Sequence, residues 1–377
     1  MPHNRLAGCL LVLAGCAGPN DDATARTVAI NAARMLGDVE FLAHDSLEGR
    51  LVGSRGNRVA REYIAARYAR LQLAMFGDSY FRPFVVPHGE NEVQGVNVIG
   101  YVGGSSEPDR FIVITAHYDH LGVRNEEIFN GADDNGSGTA ALMALAAYFA
   151  EHEPRHSIIF AAFDAEEGGL RGARAFVDQP PVQLKQIVVN LNMDMISHND
   201  RELYVVGTHH SPFLRPFVER VVADVEISLP FGHDSPELGN DDWTNQSDHA
   251  PFHRNGIPFL YFGVEDHPDY HRPTDVFRSI NPDFYEKAVN AILRVTLELD
   301  KNLEPVSVHG VGLARCTNRP RRNVCSTLRE DRTDPMLRLC PRSRRRPGDQ
   351  FRVAATPPAA LRPRAAALPH DGPCTSL

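Results

Sequence analysis

The feature that most constrains the fold is an alternation of two hydrophobic periods between residues 28 and 304. Six short apolar runs have strand length: 96–102, 111–115, 158–163, 187–191, 203–206 and 258–262. Among them lie stretches with helical spacing. One carries Ala60, Tyr63, Ile64, Tyr68 and Leu71, a second Leu142, Leu145, Ala146 and Phe149, and a third Phe284, Ala288, Ile292, Val295 and Leu299. A strand covered on both faces reads as a continuous apolar run, and strands that alternate with helices build a mostly parallel sheet with helices on each side. The expectation is an α/β fold with a mostly parallel sheet covered by helices on both faces. With 377 residues and 42% hydrophobic content, the chain can bury such a core. No internal repeat is visible.

The ends differ from this body. Arg5, a brief apolar stretch and Leu13-Ala14-Gly15-Cys16 resemble a bacterial export signal with a lipoprotein cleavage box. Residues 1–16 are therefore expected to direct export to the cell envelope, with a lipid anchor on Cys16. An ordinary secretory signal is the alternative. Residues 17–27, small and polar, read as a tether. Residues 305–377 are Arg- and Pro-rich without sustained periodicity and are expected to be disordered; they also look like translation in a shifted frame. From residue 306 onward there are fourteen Arg, no Lys and five acidic residues, a net of +9. The whole chain is −9, so the remainder carries −18. An acidic body excludes nucleic acid as the natural partner and suits cations and amine-bearing substrates. No cysteine lies between residues 17 and 315, which removes disulfides and thiolate-bound zinc from the body.

Polar clusters follow the apolar runs, where the open edge of a parallel sheet gathers active groups. After 111–115 comes Ala116-His117-Tyr118-Asp119-His120, in which Asp119 could hold one nitrogen of His117 while the other binds metal. Asn130-Gly131-Ala132-Asp133-Asp134-Asn135-Gly136 opens a helix; a carboxylate there could bridge two cations or simply favour the helix N-terminus. The run 158–163 leads into Asp164-Ala165-Glu166-Glu167-Gly168, whose adjacent glutamates diverge, so that one can ligate and the other face a water. Asp194, between Met193 and Met195, should be buried and so needs a partner. Asp269-Tyr270-His271-Arg272-Pro273-Thr274-Asp275 supplies a second imidazole, with Asp275 available to orient it. Two imidazoles and several carboxylates without a thiolate suit zinc.

In order and spacing these five clusters resemble the zinc exopeptidases of metallopeptidase family 28, the bacterial aminopeptidase type. The resemblance extends over roughly residues 36–303 and includes Leu47-Glu48-Gly49-Arg50 and Ser247-Asp248-His249-Ala250-Pro251-Phe252. It implies a single α/β/α sandwich domain with a mostly parallel mixed sheet, the zinc-peptidase (phosphorylase/hydrolase-like) fold, without the additional protease-associated domain of some members. It also implies two zinc ions per chain, one on His117 and Asp194, the other on Glu167 and His271, with Asp134 bridging. Glu166 would be the general base, Asp119 would orient His117, and Tyr270 would steady the oxyanion. The implied activity is removal of residues from peptide N-termini. A carboxypeptidase, a glutaminyl-cyclase-type relative and a non-catalytic binding module are the competing readings.

Overall fold

A computed structural model describes residues 29–88 and 91–303. The leader, the tether and the Arg-rich tail, with the expectations attached to them, lie outside the described residues. The elements run α1 (Ala32–Leu42), α2 (Arg55–Arg70), β1 (Phe81–His88), β2 (Asn91–Val102), β3 (Glu107–His117), β4 (Gly122–Arg124), β5 (Glu127–Phe129), α3 (Gly138–Glu151) and β6 (His156–Phe163). They continue with α4 (Arg171–Asp178), β7 (Ile187–Met193), β8 (Tyr204–Val206), α5 (Arg215–Val221), α6 (His249–Arg254), β9 (Phe259–Gly263) and α7 (Pro282–Asn302). No described helix is long and apolar enough to cross a membrane.

Seven strands form one sheet in the order β1-β2-β6-β3-β7-β9-β8, while β4 and β5 make a separate hairpin. The four inner strands β6, β3, β7 and β9 are mutually parallel; β1 and β2 on one side and β8 on the other run antiparallel. This is the mostly parallel sheet read from the apolar runs, mixed as the family resemblance implies, and all six runs lie in it. The strand that periodicity did not reveal is β1. It carries Pro83 and Pro87, which cannot donate to a ladder and are accommodated here because β1 is an edge strand paired only with β2.

Alternate side chains of each strand enter different layers. Ile112, Ile114 and Ala116 of β3 join α1, α2, α3, α5 and α7 in the larger apolar cluster. Phe111 and Val113 point to the other face, where Phe176 of α4 and Phe252 of α6 pack with Phe163. The helices are set by local chemistry as well. Asn31, Ser54 and Asn281 cap α1, α2 and α7, each side chain accepting an N–H of the first turn, and Pro282 follows the last cap at the position where its missing N–H costs nothing. Helix α3 is apolar around most of its circumference because it is sandwiched; all residues from Gly138 to Ala146 are buried. The result is an α/β/α sandwich whose parallel strands all end at one edge.

Candidate metal centre

Functional side chains follow each of those strand ends. His117 closes β3, and Asp194 comes directly after β7. Glu166 and Glu167 lie beyond β6, past a left-handed turn at Ala165 with φ 58°. His271, itself at φ 53°, sits on the loop after β9. Asp134 enters from the loop that leads into α3. That loop turns at Gly131, φ 58°, where a Cβ would fall 2.1 Å from the Asp134 carbonyl oxygen and 2.6 Å from the His120 ring. Both conformation and space therefore demand glycine there. The Asp134–Asn135 peptide is cis.

The five residues expected to bind metal come together. His117 Nε2 is 3.2 Å from Asp194 Oδ1 and 3.4 Å from Asp134 Oδ1. His271 Nε2 is 3.1 Å from the other Asp134 oxygen, Oδ2, and 3.5 Å from Glu167 Oε2. Asp134 thus turns one oxygen to each donor set. Glu166, Tyr270 and His271 line a cleft of about 280 Å³ together with Asp194, Met195 and Gln246. The Tyr270 ring stacks on His271 with centroids 4.0 Å apart.

One imidazole received no role in the sequence reading. His120 is fully buried, with Nδ1 2.7 Å from Glu167 Oε1 and 3.8 Å from Asp134 Oδ2. Neither of its nitrogens nor Glu167 Oε1 makes a hydrogen bond. The available signal was the His-x-x-His spacing with His117 across a strand end.

Supporting residues hold these groups in place. The nearest acceptor to His117 Nδ1 is the backbone carbonyl of Asp119 at 3.2 Å, with the carboxylate at 3.7 Å. That carboxylate accepts the N–H of Glu166 at 3.0 Å, so Asp119 ties the β3 end to the glutamate turn. Asp275 was expected to orient His271. Instead its oxygens accept the N–H groups of Asp133 and Asp134 at 2.9 and 3.1 Å, and it fixes the bridging loop. The two-residue period of Asn190 and Asn192 puts both amides on one face of β7. There a relay runs from Asn190 to Thr115 Oγ1, on to Asn192 Oδ1, then from Asn192 to Ser247, whose hydroxyl donates to Asp194 Oδ2 at 2.6 Å. Arg50, fully buried, donates to the carbonyls of Leu42, Tyr118, Asn130 and Gly131.

The electrostatics ask for cations. Asp134, Glu166, Glu167 and Asp194 crowd one depression. Burial raises Asp134 above its ordinary value, and the Glu167 charge adds to the shift. Burial likewise raises Glu166 well above its ordinary value; His117 opposes this, while Asp248, Asp194 and Glu167 reinforce it. Burial lowers His271, yet contacts with Asp134 and Glu167 outweigh it and lift the imidazole to about 10. Dehydrated like charges are costly unless a cation neutralises them. His120 Nδ1 and Glu167 Oε1 face each other at 2.7 Å beside Asp134 Oδ2, adding a further imidazole to the donors that converge here. Imidazole and carboxylate donors without thiolate fit zinc.

Comparison with known proteins agrees with this chemistry. Residues 97–296, more than half of the chain, match the profile of Peptidase family M28. Aminopeptidase YwaD of Bacillus subtilis (strain 168) is 31% identical over 204 residues, which cover 52% of this chain and 42% of that protein. A protein of Pyrenophora tritici-repentis (strain Pt-1C-BFP), named a probable zinc metalloprotease, is 25% identical over 272 residues, 62% of each chain. The chain thus spans less than two thirds of the length of these curated relatives. Among solved structures, a zinc aminopeptidase from Bacillus subtilis superposes with a TM-score of 0.61 at 18% identity, covering 74% of this chain and 97% of that one, a likeness of fold. Profile, fold and converging donors lead to one conclusion: this chain belongs to peptidase family M28.

Proposed function

We propose that the protein is a two-zinc aminopeptidase that releases residues from peptide N-termini, with Glu166 as general base. The observation that carries the reading is Asp134, whose two oxygens face separate donor sets at 3.4 and 3.1 Å. His117 and Asp194 would hold one ion, Glu167 and His271 the other. Bound there, zinc supplies Lewis acidity and a water that ionises near neutral pH.

The chain's own residues do the rest. Glu166 lines the cleft without belonging to either donor set, so its carboxylate is free to take a proton from the attacking water and pass it to the leaving amine. Its N–H bond to Asp119 anchors the turn from which it projects. Tyr270, on the same cleft, is the proposed donor to the oxyanion. The substrate end follows from charge. No Lys or Arg is among the described residues lining the cleft, so a peptide C-terminal carboxylate meets no guanidinium or ammonium there. That favours the aminopeptidase over the carboxypeptidase reading.

Aminoacyl substrates with free and acetylated N-termini, assayed beside zinc content, test the proposal. Acetylation should abolish turnover, and active protein should hold two zinc ions at this centre. Equal turnover of blocked substrates, or one ion at full activity, would reject it. Export with a lipid on Cys16 is proposed from the leader sequence alone; Cys16→Ser should release the protein from membranes, and unchanged association would reject the anchor.

A further inference from the structure

We propose that the protein carries a separate cation site built from His198, His267 and Asp269. It does not depend on the aminopeptidase reading. His198 lies on the loop after β7, and His267 and Asp269 lie on the loop after β9. The second loop is a tight turn: Tyr270 N donates to His267 O at 3.0 Å, and Arg272 N to Asp269 O at 2.9 Å. Residues far apart in sequence thereby present one imidazole, then an imidazole and a carboxylate, to the same point. One donor atom from each lies within 4.8 Å of the other two, and His198 Nδ1 is 3.9 Å from Asp269 Oδ2.

Convergence alone would be weak; the state of the nitrogens adds a second observation. The Nδ1 atoms of His198 and His267 are both shielded from water, and neither has a hydrogen-bond partner. A buried polar atom left unpaired is costly and needs an explanation. For His267 the other nitrogen supplies one. Its Nε2 meets Asp133 Oδ2 at 3.1 Å, and Asp133 in turn accepts the N–H and hydroxyl of Ser197 at 2.7 and 2.6 Å. A carboxylate that accepts the N–H of one nitrogen of a neutral imidazole leaves the lone pair on the other. This is the carboxylate–imidazole–metal relay by which metal-binding histidines are oriented.

The surroundings suit a cation. Burial and the neighbouring His267 lower His198, so its imidazole favours the neutral form that binds metal, while Asp133, Asp269 and Asp200 oppose them; around His267 stand Asp133, Asp275 and Asp269. The two rings stack with centroids 3.8 Å apart and planes 25° apart. The His198 side chain is 26% exposed and that of His267 6%, so water can reach the cluster from the His198 side and complete the shell. Two imidazoles and one carboxylate select a late first-row divalent ion such as zinc rather than magnesium or calcium, which take oxygen. Occupied, the site would clamp the loop after β7 to the turn immediately before Tyr270 and His271.

The experiment is equilibrium dialysis of the full-length protein against Zn²⁺, with total zinc read by elemental mass spectrometry, for wild type, His198→Ala and Asp269→Asn. Wild type should hold one ion more than either variant, and its Tm should rise over the zinc range that fills that ion, with no such rise in His198→Ala. The difference between wild type and variant is independent of how many ions the Asp134 centre holds, which peptide hydrolysis and its own zinc content report. Circular dichroism identifies a variant that fails to fold, and folded Asp269→Asn then carries the comparison. Equal zinc content in wild type and both folded variants would overturn the proposal, as would an extra ion that raises Tm equally in wild type and His198→Ala.

Discussion

Removing the Arg50 guanidinium should loosen the metal centre from behind. The side chain reaches Tyr118 O at 2.7 Å, Leu42 O at 2.6 Å, Asn130 O at 2.5 Å and Gly131 O at 2.9 Å. These carbonyls belong to the end of α1, the residue after His117 and the start of the loop that carries Asp134. Burial pulls the guanidinium down to about 10, offset in part by the charges of Asp275, Asp119, Asp134 and Glu167, so it stays protonated at neutral pH. An unmet buried acceptor costs about 1–3 kcal/mol. In Arg50→Met four are left at once, and water entering the vacated space brings the loss toward the low end, about 4 kcal/mol. That is a large share of the roughly 5–15 kcal/mol available to a domain. Arg50→Lys keeps the charge but concentrates its donors on one atom, and should lose about 2 kcal/mol. Urea unfolding gives the stability, and competition with a chromogenic chelator gives the zinc affinity. Both variants should bind zinc more weakly because Gly131 and Tyr118 are no longer tied to one point. If Arg50→Met stays within ~1 kcal/mol of wild type, below the cost of even one unmet acceptor, or either folded variant keeps wild-type zinc affinity, the reasoning fails.

Glu166→Gln should keep its zinc and lose about 10²–10⁴-fold in kcat with little change in KM, whereas Glu167→Gln should lose affinity for one ion; zinc content measured beside turnover would expose reversed roles. His120→Ala should weaken zinc on the Glu167 side more than on the His117 side, since its Nδ1 lies 2.7 Å from Glu167 Oε1; unchanged affinities in a chelator titration would make His120 a packing residue. Burial pushes Asp300 up, but the His156 side chain and the N–H groups of His156 and Arg155 outweigh it and hold the carboxyl below its usual value. A depressed carboxyl stabilises the fold above its unfolded pKa of about 3.9 and loses that contribution as pH falls through the folded value. Asp300→Asn should therefore narrow the stability gap to wild type as urea midpoints are taken from pH 6 down to pH 3, and a constant gap would contradict this.

The inner sheet was legible because its strands are buried on both faces, so continuous apolar runs such as 111–115 and 158–163 marked them. Strand β1 was not, since an edge strand needs neither an apolar run nor a full set of N–H donors. The five candidate donors were singled out by the order and spacing of polar clusters after the apolar runs, and the fold brings their atoms together. Local order does not say which loops meet in space, and that is where the reading fell short. Asp275 is four residues from His271 and was assigned to it, but the chain turns its carboxylate to the Asp133 and Asp134 amides. His120 stood in plain view beside Asp119, yet its position against Glu167, after a different strand, exists only in three dimensions. Arg50 likewise gathers carbonyls that sequence separation scatters from Leu42 to Gly131.

The arrangement of the donors at the ends of four parallel strands also sets a schedule. His117 is made early in synthesis and His271 late, after β9, whose partner β7 lies some seventy residues upstream in the chain. Parallel pairing of this kind closes long loops before it gains contacts, and is slow. An emerging chain that stops short of residue 271 holds His117, His120 and the acidic loops but lacks His271, the last imidazole to reach Asp134. The full donor set therefore assembles in a late step, after the sheet is nearly complete.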